Sequence, residues 1–198
     1  GVKVFLDDYA YLSQLMINLY EITGEIVYLN DAKEICQKTW DLFYDESNKI
    51  LQKNLIEKND LFVPPSDVND SNIPNGNSIF LLNCKKLEAI TGDNKWQNMA
   101  KELTQSFHSF LNLQSTQMVS YIKNLDMCEE LQTFTFFGDF KKNTDLHRYV
   151  KKNYLKSSTL IYKEDSKENY LVVCKNQTCS NKIKTIDELE SVVKNYAI

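Results

Sequence analysis

Two triplets carry side chains suited to hold and act on a polar ligand: Asp7-Asp8-Tyr9 near the start and Asn75-Gly76-Asn77 further along. A carboxyl group held close to a sugar carbon or a glycosidic oxygen can take or deliver a proton. Amide and phenol groups add directional hydrogen bonds, and a tyrosine face stacks on a ring. Asp7 and Asp8 are therefore candidate catalytic groups, and Tyr9, Asn75, Gly76 and Asn77 candidate substrate-binding residues for a sugar or another small polar ligand. Capping is the competing use, because Asp and Asn are preferred at helix starts, where they satisfy orphan N–H groups. The Pro74-Asn75-Gly76 turn calls for positive φ at Gly76 or one residue away.

Cys174 and Cys179 flank the loop "KNQT" and form a candidate redox pair. A disulfide needs its Cα atoms within about 7 Å, which an extended step of this length exceeds, so the loop must fold back to bond them. The spacing matches neither a Cys-x-x-Cys redox motif nor half of a zinc set, which leaves a structural use and a reversible disulfide both open. No metal site is expected, because no second pair of ligands stands near the two cysteines, and no cofactor is expected, since "FFGDFKKN" has a single glycine and is a weak phosphate-loop signal. His108 and His147 lack a carboxylate or cysteine at ligand or triad spacing, and Trp40 and Trp96 read as packing aromatics.

The elements that position these residues are announced by a repeated phrase. Setting Gly24 on Gly92, an offset of 92 − 24 = 68, aligns "YEITGEIVYLNDAKEI" with "EAITGDNKWQNMAKEL" without a gap, and seven of the sixteen pairs are identical. In each copy a pattern of helical period runs into Ile-Thr-Gly and a second begins just after it: Leu12, Leu15, Met16, Leu19 and Ile22, then Tyr28, Ala32, Ile35, Cys36 and Phe43. Glycine ends a helix at positive φ at least cost. Each copy is thus a helix hairpin. The helix from Ser78 to Thr91 is apolar on more than one side and reads as an inner helix, while the next keeps one stripe at Trp96, Met99, Ala100, Leu103, Phe107 and Leu111. The offset sets Asp7, Asp8 and Tyr9 on Asn75, Gly76 and Asn77, so both triplets stand at the start of an inner helix, where free N–H groups and a positive dipole end gather.

Between the copies lies a polar loop, "EKNDLFVPPSDVNDSNIPNGNS", and a further helix runs from about Ser115 to Leu125. Beyond residue 130 the pattern changes to strands "LQTFTFFG", "STLIYK" and "NYLVVCK", with a helix from Asp145 to Leu155 and a last helix opened by Thr185 and Glu188 at capping-box spacing. The first two strands, joined through a helix, are expected parallel, and the short link from Lys163 to Asn169 is expected to join antiparallel neighbours. Residues 1–129 are expected to form a helical part and 130–198 a small α/β lobe.

A net charge of −4 and a pI near 5.3 give no basic surface for nucleic acid. No apolar run reaches the roughly 18 residues of a membrane helix. Five cysteines, three of them inside apolar helical patterns, fit a reducing, cytoplasmic setting.

Four stretches in order, "FLDDYAYL" with "LYEITG", "IPNGNSIFLLN" with "LEAITGD", "NYLKSSTLIY", and "VCKNQTCSNKIKTIDELE", resemble the spermatogenesis-associated thioredoxin-domain (YyaL-like) proteins. The resemblance implies a mainly α fold: helical hairpins of a partial (α/α)6 toroid, of the six-hairpin glycosidase or sugar 2-epimerase kind, with a small C-terminal α/β lobe. It further implies that this sequence is the C-terminal portion of a longer protein whose thioredoxin-like domain lies outside it. The expected function is carbohydrate binding or sugar chemistry; the alternative is a non-catalytic module that presents substrates to the thioredoxin-like domain. Exposed hairpin faces would give homo-oligomers. The family's Pro-Ser-Gly-Asn-Ser is replaced here by Pro74-Asn75-Gly76-Asn77-Ser78, and "DESNKILQKN" stands where a glycine-rich strand is usual.

Overall fold

Gly24 and Gly92 turn the chain in the same way. The structure, a computed structural model, describes residues 4–54, 68–139, 144–154, 158–176 and 178–196. Both glycines are left-handed, at φ 73° and 69°, and their N–H groups donate to Tyr20 and Glu88 carbonyls at 2.7 and 2.8 Å. In each corner the preceding threonine donates its hydroxyl back one turn, Thr23 to Leu19 at 2.7 Å and Thr91 to Leu87 at 2.6 Å. That hydroxyl then accepts from the N–H of Glu25 or Asp93, at 3.2 Å in both copies. The repeated Ile-Thr-Gly is therefore one hydrogen-bonded corner built twice.

The chain divides into two compact units, Gly1–Cys128 and Glu129–Ile198. In the first, α1 (Leu6–Thr23) and α2 (Ile26–Phe43) form one hairpin, and α3 (Gly76–Thr91) and α4 (Asn94–Gln114) the other. Helix α5 (Val119–Glu129) follows a 3-10 turn, and a short antiparallel pair, β1 (Tyr44–Asp45) and β2 (Ile50–Leu51), stands after α2. The first half of the long polar loop between the hairpins, residues 57–67, falls outside the described residues. Helix α3 is buried on all sides through Ile79, Phe80, Leu81, Leu82, Cys84 and Leu87, and α4 buries Trp96, Met99, Ala100, Leu103 and Phe107.

Helices α1 and α3 lie side by side, both starting at the same end. Their seam is made of small and polar residues: the Asn83 amide donates to the Ala10 carbonyl at 2.9 Å and reaches the Ser13 hydroxyl at 2.8 Å. Near the far end Lys86 meets Glu21 at 2.7 Å, both buried. Such a pair costs desolvation on both sides and fixes register more than it adds stability. Because α1 buries Leu6, Ala10, Ser13, Ile17 and Tyr20, its Leu12, Leu15 and Ile22 stay exposed, which departs from the inward role their periodicity suggests. No helix is long and apolar enough to cross a membrane, among the described residues.

The second unit is a four-stranded sheet in the order β4-β3-β5-β6, built from β3 (Gln132–Phe137), β4 (Ser158–Lys163), β5 (Tyr170–Lys175) and β6 (Thr178–Cys179). With α6 (Thr144–Asn153) as crossover, β3 and β4 are parallel. Strand β5 is antiparallel but pairs with β3, not with β4 as the short link suggested. Adjacent strands are about 4.8 Å apart, so a six-residue link easily steps over one strand. It crosses at Gly138, φ 81°, where a Cβ would lie 2.4 Å from Asn169 Oδ1 and 2.6 Å from the Glu168 carbonyl oxygen. The core gathers Phe134, Phe136, Leu160, Leu171 and Val173 with Leu146 and Val150 of α6 and Leu189 of α7 (Ile186–Tyr196). The Thr185–Glu188 capping box forms, with N–H bonds of 3.2 and 3.1 Å in the two directions.

Two outcomes are expected. Gly92→Ala places a Cβ in open space at φ 69°, so it should lose only the backbone term, about 1–2 kcal/mol in urea unfolding. Burial, then the charge of Lys151, lowers the His147 imidazole from 6.5 to about 4. The folded lobe thus holds it neutral, while the unfolded chain protonates it below about 6.5. Its contribution is full above that pH and is lost as pH falls toward about 4. Thermal melts of His147→Gln should show a shallower loss of stability across that window than the wild type.

Candidate functional site at the helix starts

The starts of α1 and α3 touch. A Cβ on Gly76 would sit 2.4 Å from Asp7 Oδ1, 3.0 Å from Leu6 Cγ and 3.3 Å from Asp7 Cα. Gly76 is the first residue of α3 and is absent from the positive-φ glycines; Asn75 before it is extended at φ −64°. The expected positive φ is therefore corrected: glycine is needed here for close approach between two helices, not for a left-handed turn.

The two asparagines are engaged in holding the chain. Asn75 is the N-cap of α3, its side chain accepting from the Asn77 N–H at 2.9 Å and donating to the Asn69 carbonyl at 3.1 Å. Asn77 is buried, and its amide clamps Leu51 like a ladder partner: Leu51 N–H to Oδ1 and Nδ2–H to the Leu51 carbonyl, both 2.9 Å. Gly76 and Asn77 thus form wall, not a surface that a ligand meets.

The aspartates behave otherwise. The N-cap of α1 is Phe5, with no side-chain cap, so neither Asp7 nor Asp8 plays the capping part that competes with a ligand role. Neither carboxylate makes a hydrogen bond or ion pair with another described residue. Asp7 is half-buried against Gly76, Asp8 is exposed, and both gain from the positive end of α1. Successive residues on a helix do not face each other, so the two cannot flank one bond as an acid and base pair. Tyr9 packs edge-on against Phe43 at 5.7 Å.

Around them runs a network that periodicity does not announce. Asp70 accepts from the Asn75 N–H at 2.9 Å, the Ser120 N–H at 2.7 Å, and the Ser120 hydroxyl. Ser78 Oγ lies 2.9 Å from Ser120 Oγ, and Asn124 donates to the Ser78 carbonyl at 2.9 Å. Tyr11 donates to the Pro74 carbonyl at 3.0 Å; burial, with the charges of Asp7 and Asp70, raises its pKa and keeps it a donor. Asp70 joins partners 5 and 50 residues away, and only the first spacing, five residues before an Asn-Gly turn, leaves a local trace. Beside this end, Tyr44 stacks on Trp40 at 3.9 Å and donates to Glu102, and burial with that carboxylate raises its pKa. Asp45 accepts from Asn48, Gln52 and the Ser47 N–H, which lower its pKa.

Cys174 and Cys179 lie in the second unit, bonded across the β5–β6 hairpin with Cα atoms 4.1 Å apart. The loop does fold back, through Asn176 at φ 49°. Cys36 and Cys84 are buried free thiols, and burial pushes Cys36 up to about 12. His108 is exposed, its ring nitrogen 3.1 Å from the Thr104 carbonyl oxygen. Among the described residues no three His, Cys, Asp or Glu side chains converge as metal ligands. No protein-family model matches the chain, and no curated protein matches it.

Asn77→Ala should cost about 2–4 kcal/mol in urea unfolding, because it strands both backbone groups of Leu51. Gly76→Ala should cost about 1–3 kcal/mol by forcing two helix starts apart. Asp8→Ala should stay within about 0.5 kcal/mol of wild type, since among the described residues its exposed carboxylate makes no hydrogen bond or ion pair and loses only a solvent-screened helix-end interaction.

Proposed function

We propose that this protein is a non-catalytic interaction module whose stacked hairpins accept a further helical hairpin on the outer face of α1. One observation carries this reading. Helix α3 meets α1 through Gly76, Asn83 and Lys86, and the residues 68 positions earlier, Asp8, Leu15 and Asn18, are all exposed. The face that docks the second hairpin on the first is thus repeated on the first and left open. It carries Leu12, Leu15 and Ile22 at helical spacing, 44%, 49% and 43% exposed, and Ile26 and Val27 extend it past the corner. Stacking repeats bury such faces by adding neighbours. An arc of hairpins continued in this way is the (α/α)6 toroid that the resemblance to YyaL-like proteins implies.

Because the chain carries hairpins of its own, copies should associate through this face at micromolar to millimolar concentration. Sedimentation velocity reads the effect: Leu15→Glu should give a monomer with unchanged circular dichroism. A wild type that stays monomeric at millimolar concentration and binds no hydrophobic dye would sink the proposal.

A second reading, a hydroxyl-rich ligand held at the helix starts, is favoured by the unengaged carboxylates of Asp7 and Asp8. It predicts that some monosaccharide at millimolar concentration raises the melting temperature and that Asp7→Asn with Asp8→Asn abolishes the rise. A flat response to every sugar removes it.

A further inference from the structure

We infer that the Cys174–Cys179 bond is a thiol–disulfide exchange site that takes electrons from a dithiol, rather than a staple the lobe needs to stay folded. Three observations converge. First, the two cysteines are register partners across β5 and β6, with Lys175 and Thr178 paired between them and the turn. The ladder sets the sulfurs opposite each other whether or not they are bonded, so re-formation is a local, intramolecular step.

Second, the hairpin is held by other bonds. The Ser180 N–H donates to the Val173 carbonyl at 2.8 Å, the Val173 N–H to Ser180 Oγ at 3.1 Å, and Leu171 and Ile183 exchange two backbone bonds of 2.9 Å. Phe134, Phe136, Leu146, Val150, Leu160, Leu171, Val173, Ile183 and Leu189 form the lobe's core without either cysteine. The bond closes a ring with a sequence separation of only 5, and short loops gain least from cross-linking. Third, access is unequal. Cys179 is exposed on the edge strand, Cys174 is half-buried, and the buried Cys36 and Cys84 are out of reach of exchange.

The chemistry follows from that asymmetry. A thiolate of the incoming dithiol attacks Cys179 Sγ in line with the existing bond, a mixed disulfide forms, and Cys174 leaves as thiolate and takes a proton from water. The second thiol of the reductant, deprotonated in turn, attacks its own sulfur in the mixed disulfide and expels Cys179 as thiolate, which is also protonated. Two electrons and two protons pass in total: the protein disulfide becomes two thiols and the dithiol becomes a disulfide.

The test equilibrates the full chain with graded ratios of reduced to oxidised dithiothreitol, quenches with iodoacetamide and maps alkylated cysteines by mass spectrometry. Cys174 and Cys179 should become alkylated together and reversibly, with Cys36 and Cys84 protected and both circular dichroism and the cooperative melt of the lobe retained. In Cys174→Ser, Cys179 should form a mixed disulfide with oxidised glutathione at least ten times faster than Cys174 does in Cys179→Ser. A bond that yields only when the lobe unfolds, a reduced lobe that loses its melt, or equal rates in the two variants would each overturn the inference.

Discussion

The first unit depends on how closely α1 and α3 approach. Gly76 at one end has no room for a Cβ, Ala10 and Ser13 are fully buried in the middle, and the Glu21–Lys86 pair closes the far part of the seam. A seam of small and polar residues pulls two backbones together by contact and hydrogen bonds rather than by apolar volume. The Asn83 amide shows this best, since its donor bonds reach both a carbonyl and a hydroxyl of the neighbouring helix. Larger apolar residues line α3 on every side, whereas α1 divides them, burying Leu6, Ile17 and Tyr20 and leaving Leu12, Leu15 and Ile22 facing solvent.

The same seam decides which polar residues remain available. Asn75 caps α3 and Asn77 grips Leu51, so the second triplet is spent on fixing the start of α3 and the strand pair beside it. Asp70 ties this turn to the start of α5. The first triplet has no such duties, so two helix starts that correspond in the repeat differ: one is scaffold, and at the other the carboxylates make no hydrogen bond or ion pair with another described residue.

Much of this was legible from the repeated phrase. The Ile-Thr-Gly corners, the hairpins, the inner and outer characters of α3 and α4, and the Thr185 capping box all follow from local periodicity and turn chemistry, which act over a few residues. What periodicity did not carry is long-range. The outward face of α1 is invisible in its own pattern, because Leu12 and Leu15 recur as core residues do. The clamp of Asn77 on Leu51, the reach of Asp70 to Ser120, and the strand pair at Tyr44 and Leu51 depend on partners far along the chain. The need for glycine at position 76 was legible, but its cause was misassigned to turn geometry, since a close helix contact leaves no mark beyond the glycine itself. The order of strands in the lobe failed similarly: link length constrains reach, and six residues reach past a neighbour as easily as to it.

Strand β3 is made first among the lobe's sheet strands yet sits between β4 and β5. Because α6, β4 and β5 all follow it in the chain, during vectorial synthesis it emerges before either of its partners, with both edges unpaired. The passage of residues 164–169 over Gly138 carries the chain past β3 to the flank where β5 pairs. A nascent chain halted short of residue 170 therefore presents an unsealed aromatic-rich ribbon, Phe134 to Phe137, to whatever crowds the tunnel exit.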